Sequence, residues 1–177
     1  MVSLSLLFDG LRLVWTAAAP DMPPALWMVT LTVWGILGIA ALIDALKKIV
    51  PDPLILLGAV GVTAALGFAV SWEVAAQHLR LALASALIIW AINALWYARF
   101  KRDALGMGDA KWTLLAVLCF GPVRALVAWG GGAILAVFVM GVARLAGRRL
   151  SQVSFAPFLF VGLSAASWIL SHPIDGL

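Results

Sequence analysis

Two aspartates pose the chemical question in this chain. Asp44 closes the apolar run Ile-Leu-Gly-Ile-Ala-Ala-Leu-Ile at 36–43, with Lys47 and Lys48 just beyond it. Asp109 stands in Leu-Gly-Met-Gly-Asp-Ala-Lys-Trp at 105–112, after Gly106 and Gly108 and directly before another apolar run. Taken alone, Asp44 pairs with Lys47 or Lys48, and Asp109 caps a helix starting at Ala110. Taken together, two carboxyl groups near one another in a partly dry pocket cannot both ionise easily and tend to share a proton. One then takes a proton from water while the other gives a proton to a carbonyl oxygen, which is how aspartic proteases work. The chain has eight acidic residues, so each can be judged. Asp9, Asp21, Glu73 and Asp175 suit solvated loop roles. Asp103 belongs to a charged loop with Lys101 and Arg102, and Asp52, between Pro51 and Pro53, reads as an N-cap with proline at N1.

The elements that must position these groups are helices in a membrane. Of 177 residues, 64% are hydrophobic and 11% charged, and the mean hydropathy is +1.09. A soluble domain carries about 25% charged residues, so an integral membrane protein is expected. The net charge of +4 does not imply nucleic acid, because the basic residues fall in short clusters between apolar runs. Six such runs are marked by their breaks: 25–46, 53–70, 79–97, 112–120, 123–143 and 155–170. Gly-Pro-Val-Arg at 121–124 reads as a tight hairpin between the fourth and fifth. The fold class is therefore all-α, with about six transmembrane helices in residues 21–177 and an amphipathic surface helix at 1–20. In that first segment Leu4, Leu7, Phe8, Leu11, Val14 and Trp15 share one helical face, and Ser5, Asp9, Arg12 and Thr16 the other. Asp9 and Arg12, and the lack of an early positive charge, argue against a signal peptide there.

Orientation follows from lysine and arginine. With alternating loops, one side holds Lys47, Lys48, Arg99, Lys101, Arg102, Lys111, Arg144, Arg148 and Arg149, and the other Arg12, Arg80 and Arg124. Nine against three makes the loops 44–52, 98–111 and 144–154 cytosolic and places the C-terminus outside. Both Asp44 and Asp109 then lie at the cytosolic face, at the ends of separate helices. Trp15, Trp27, Trp72, Trp96, Trp112, Trp129 and Trp168 fall near run ends, as an aromatic belt would. A helix from Asp109 to Phe120 is only about 18 Å long, against a hydrocarbon core of about 30 Å. Asp109 is therefore expected below the surface, where an ionisable group is costly and points to function. Gly106 and Gly108 permit close backbone approach at that depth. No metal site is expected: His78 and His172 are far apart, and the lone Cys119 lies in an apolar run.

Three stretches give the chain a resemblance to a known family. They are Asp-Ala-Leu-Lys-Lys-Ile-Val-Pro-Asp (44–52), Gly-Met-Gly-Asp-Ala-Lys (106–111) and Ser-Phe-Ala-Pro-Phe-Leu-Phe-Val-Gly (154–162). In this order the chain resembles the type IV prepilin leader peptidases, membrane aspartyl proteases of the Gly-x-Gly-Asp class, over roughly residues 25–170. Ser154 and Ala156 depart from the family's pattern in the third stretch. The resemblance implies that Asp44 and Asp109 are the catalytic pair and activate water to cut a membrane-embedded pilin precursor at the cytosolic face of the bacterial inner membrane. Gly106, Gly108, Lys111 and Pro51 would support the active-site loops. The compact size is similar to the branch that processes Flp-type, tight-adherence pilins. The cysteine pairs that accompany methylation in larger members do not occur here, so methyltransferase activity is not expected, nor is any cofactor. The alternative is a proton-coupled transporter or channel subunit with Asp44 and Asp109 as ion sites. It needs a polar relay across the membrane, and apart from Asn93 the polar residues inside the runs are mostly Ser and Thr.

Overall fold

Long apolar runs with charges only near their ends leave the backbone no partner but itself, and in lipid that condition selects the helix. The computed structural model describes residues 24–101, 106–147 and 154–171. Among them the fold is all helical: α1 (Pro24–Lys47), α2 (Asp52–Ala69), α3 (Trp72–Phe100), α4 (Met107–Leu145) and α5 (Ala156–Ser171). The expected surface helix at 1–20 falls outside the described residues, as do Arg102, Asp103, Arg148, Arg149, His172 and Asp175. Four of the helices are long and apolar enough to cross a membrane, and the last is a shorter apolar helix. Leu56, Phe68, Leu95 and Ile134 are 65–81% exposed. Four such helices with apolar outer faces suggest a multi-pass membrane protein.

The helix α4 is not a single rod. Gly121 inside it has φ 82° and ψ 167°, outside helical geometry, and Pro122 follows. The Trp129 indole Nε1–H donates to Thr113 Oγ1 at 2.9 Å. In a straight helix those two residues would be about 24 Å apart. The chain therefore turns back at Gly121, and α4 is a hairpin of two antiparallel arms, 107–120 and 122–145. The break falls where the Gly-Pro signal put it, because proline cannot continue the preceding turn and glycine alone takes that φ readily.

Six full spans are not what this architecture provides. The first arm of α4 is only about 21 Å long. It also sits in the middle of the protein: Asp109, Ala110, Trp112, Thr113 and the whole of 115–120 are buried. Trp112, Leu115, Leu118 and Phe120 meet Val33 and Leu37 of α1, Leu66 of α2, and Leu159 and Leu163 of α5 in one core. Shielded on all sides by helices, this arm can be short without exposing polar backbone to lipid. The second arm crosses α5 at close range. A Cβ at Gly162 would stand 2.4 Å from the Ala128 carbonyl oxygen, and one at Gly132 would stand 3.0 Å from that of Phe158. Such small-residue crossings are how membrane helices pack closely.

All the turns that carry chemistry fall at one end. α1 ends there, α2 begins there beside the start of α4, and α5 begins against the end of α1. Trp112, placed in an aromatic belt by its position in the sequence, is instead fully buried, because its arm is central; Trp27, Trp72, Trp96 and Trp168 are exposed.

Candidate active site

The first aspartate is held by the end of its helix. α1 stops because Lys48 adopts the left-handed conformation, φ 59°, and its N–H closes back on the Asp44 carbonyl at 2.8 Å. The same carbonyl accepts a 2.8 Å hydrogen bond from Ser154 Oγ, just ahead of α5. These bonds fix the backbone of Asp44 from two directions and leave its carboxyl free of them. Ile49, Val50 and Pro51 then carry the chain into α2.

The second aspartate is held by the start of its helix. Gly106, extended at φ −72° and ψ 147°, is the N-cap residue of α4. Asp109 is therefore the third helical residue and not the cap of a helix starting at Ala110. Its Oδ2 reaches back to accept the Gly106 N–H at 3.0 Å, and its own N–H donates to the Gly106 carbonyl at 3.0 Å. This is the carboxylate half of a capping box, with the Gly106 carbonyl accepting the bond that a hydroxyl side chain usually takes. A carboxylate in the first turn also suits the positive end of the helix dipole. One carboxyl oxygen is thus committed to structure and Oδ1 remains for chemistry.

Asp44 and Asp109 lie 65 positions apart in sequence yet line one cavity of about 700 Å³. They are 9% and 7% exposed. Lys48, Ile49 and Met107, all exposed, form its rim, so it opens to the surface. Its far wall is apolar: Trp129, Ala133, Ala136, Val137 and Met140 of the second arm, with Phe155. A shaped cavity lined by two buried carboxyls and by apolar side chains of the second arm suits water activation beside a bound extended chain.

The residues expected to support the site separate in the structure. Gly108 packs under Val50, and a Cβ there would lie 2.7 Å from Val50 Cγ2. Gly106 has no such crowding, since a Cβ would meet its nearest atom, Asp109 Oδ2, at 3.4 Å. Lys111 lines the cavity and forms a salt bridge with Asp52. Asp52 is not an N-cap: Pro51 holds that position, Asp52 is the first helical residue, and no side-chain cap bond forms there. The reason lies across the fold, where the lysine on α4 claims its carboxylate. His78 and Cys119 do not line the cavity. His78 is buried with Nδ1 3.2 Å from the Leu118 carbonyl, and Cys119 is buried in the core. Among the described residues no three His, Cys, Asp or Glu side chains are grouped to hold a metal ion.

Sequence reasoning gave no role at the site to Val50, Thr113, Trp129 or Phe155. Each acts through a contact set by the register of the hairpin or by the loop after α1. Ser154 was visible only as a departure from a family pattern, and it is the residue that ties α5 to Asp44. No family model, curated protein or solved structure matches the chain.

Proposed function

We propose that this chain is a membrane aspartyl endopeptidase that removes the leader peptide from type IV, Flp-like prepilins. The observation that carries the reading is the shared cavity: two buried aspartates from separate helices, in a space lined also by apolar side chains. The three motif stretches support it as well, because the structure gathers Asp44, Gly106–Asp109 and Ser154–Phe155 around that one space. In this reading six segments enter the membrane, counting the two arms of α4 separately. The excess of lysine and arginine at the aspartate end supports a cytosolic position for that end, and a prepilin substrate would make the membrane a bacterial inner one.

The chemistry follows from two carboxyls sharing one proton. The ionised carboxyl takes a proton from a water held between them, and the oxygen of that water attacks the scissile carbonyl carbon. The protonated carboxyl donates to the carbonyl oxygen as the tetrahedral intermediate forms. When the C–N bond breaks, the carboxyl that took the proton from water passes it to the departing amine, and a hydroxyl of the tetrahedral intermediate returns its proton to the other carboxylate, so the pair again shares one proton. The Asp109 Oδ2 bond to Gly106 N–H holds that carboxyl in one orientation through the cycle.

The test is to mix the purified protein in detergent with a purified Flp-type prepilin and look for the shortened product by mass. Cleavage at a single leader–mature junction is the expected result. An intact substrate under conditions where the protein remains folded defeats the proposal.

A further inference from the structure

Four side chains link the main chain of one aspartate to that of the other. Ser154 Oγ donates to the Asp44 carbonyl at 2.8 Å. The next residue, Phe155, packs its ring against Trp129, with centroids 5.0 Å apart. The Trp129 Nε1–H donates to Thr113 Oγ1 at 2.9 Å, and Thr113 Oγ1 donates to the Asp109 carbonyl at 2.7 Å. The directions are fixed by chemistry. An indole nitrogen only donates, so the threonine oxygen accepts from it and its own proton goes to Asp109. Neither end of this chain touches a carboxyl group. It holds backbone positions, and Trp129, Phe155 and Ser154 do so from the wall of the cavity itself.

The hairpin gives such a brace leverage. The arm carrying Asp109 joins the arm carrying Trp129 at Gly121, whose positive φ marks the pivot. Asp109 lies about 18 Å from that pivot along the arm. A tilt of about 3° there would move Asp109 by about 1 Å, and a misplacement of that size costs a reaction about a hundredfold in rate. The Trp129–Thr113 bond crosses between the arms about 12 Å from the pivot, where it opposes that tilt. Phe155 and Ser154 extend the constraint to Asp44.

We infer that Thr113 and Trp129, with Phe155 and Ser154, are positioning residues that set the separation of Asp44 and Asp109. The inference rests on the peptidase reading. It is tested with the full chain in detergent and a synthetic peptide spanning a prepilin leader junction. Thr113→Val and Trp129→Phe each lower kcat about tenfold to a hundredfold and leave KM within about twofold. Thr113→Ser keeps the hydroxyl and restores most of the rate. The double variant Thr113→Val with Trp129→Phe is no slower than the worse single one, because the two act as one unit. Unchanged kcat, losses that multiply, or a rise in KM alone overturns the inference; the last makes Trp129 only a wall for substrate. A second readout needs no substrate. The Trp129 indole ¹H–¹⁵N resonance, assigned by its absence in Trp129→Phe, shifts in Thr113→Val and stays in place in Thr113→Ser. An unmoved resonance in Thr113→Val removes the link. A wild-type protein that cuts no prepilin defeats the peptidase reading and this inference with it, whereas a wild-type protein that cuts alongside unaffected variants defeats the brace alone.

Discussion

A single methyl group added at Gly108 should disable the site. An alanine Cβ there would lie 2.7 Å from Val50 Cγ2 and 3.3 Å from Val50 Cβ, whereas carbon atoms rest at about 3.5–4.0 Å. Relief requires about 1 Å of movement. Rotating Val50 moves its methyl but not its Cβ, and a β-branched side chain has few rotamers to use. Val50 is 4% exposed and lines the site cavity, so turning its methyl aside relieves one contact and leaves the Cβ contact in place. The strain then goes into the loop that follows Asp44 or into the first turn that holds Asp109, and either shift moves one carboxyl relative to the other. Overpacking of this kind costs about 1–3 kcal/mol of stability, while about 1 Å of misplacement costs about a hundredfold in rate. Gly108→Ala is therefore expected to cut leader cleavage by one to two orders of magnitude while the protein still inserts and unfolds cooperatively on heating. Gly108→Val should be worse. Gly61→Ala is the control: nothing lies within 4 Å of its added Cβ, and alanine within a helix favours stability by about 0.5–1 kcal/mol. Val50→Ala in the Gly108→Ala background should recover most of the rate, because it removes the atom that clashes. Full activity in Gly108→Ala, or failure of Val50→Ala to restore any, would refute the argument.

The remaining predictions concern the surroundings of the site. Asp52→Asn and Lys111→Met break the same ion pair, whose side chains are 72% and 36% exposed; each should cost less than about 1 kcal/mol of stability and leave most cleavage intact. If Asp52→Asn abolishes cleavage in a folded protein, the catalytic pair has been misassigned. Cleavage should be insensitive to metal chelators and to thiol reagents, since no metal-ligand group forms among the described residues and Cys119 is buried; inhibition by a chelator that added zinc reverses would contradict this. Gly162→Ala should lower the thermal midpoint in detergent by far more than Gly35→Ala. The first places a Cβ 2.4 Å from a backbone oxygen that cannot rotate away, and the second places it in open space.

The parts of this account that were legible in the sequence are those governed by local chemistry. Uninterrupted apolar runs gave the helices, Gly121-Pro122 gave the hairpin, and a carboxylate at the edge of each of two runs gave Asp44 and Asp109 as a pair to examine. The parts that were not legible depend on which atoms meet across the fold. Asp109 looked like a cap because capping aspartates and third-position aspartates share a sequence neighbourhood; the choice was made by the extended backbone of Gly106. Asp52 looked like a cap until Lys111 was brought beside it from another helix. Trp112 looked like a belt residue because a run end usually lies at an interface, but its arm is enclosed by α1, α2 and α5. Trp129 could not be linked to Thr113 until the register of the two arms was known, since a shift of one residue would turn the indole to another face. The six apolar runs correspond to helical segments, but the fourth, already short at about 18 Å, was still counted as a transmembrane helix, whereas it is buried among longer ones.

The central claim is that Asp44 and Asp109 act as one unit on one water. The most direct measurement compares leader cleavage by the wild-type protein, Asp44→Asn, Asp109→Asn and the double variant, all purified in detergent and shown to be folded by their thermal transitions. Loss of either carboxyl removes the base or the acid, so the account predicts that each single variant loses cleavage by at least about a thousandfold and that the double variant is no worse than either. Near-native cleavage by Asp44→Asn or by Asp109→Asn would contradict it.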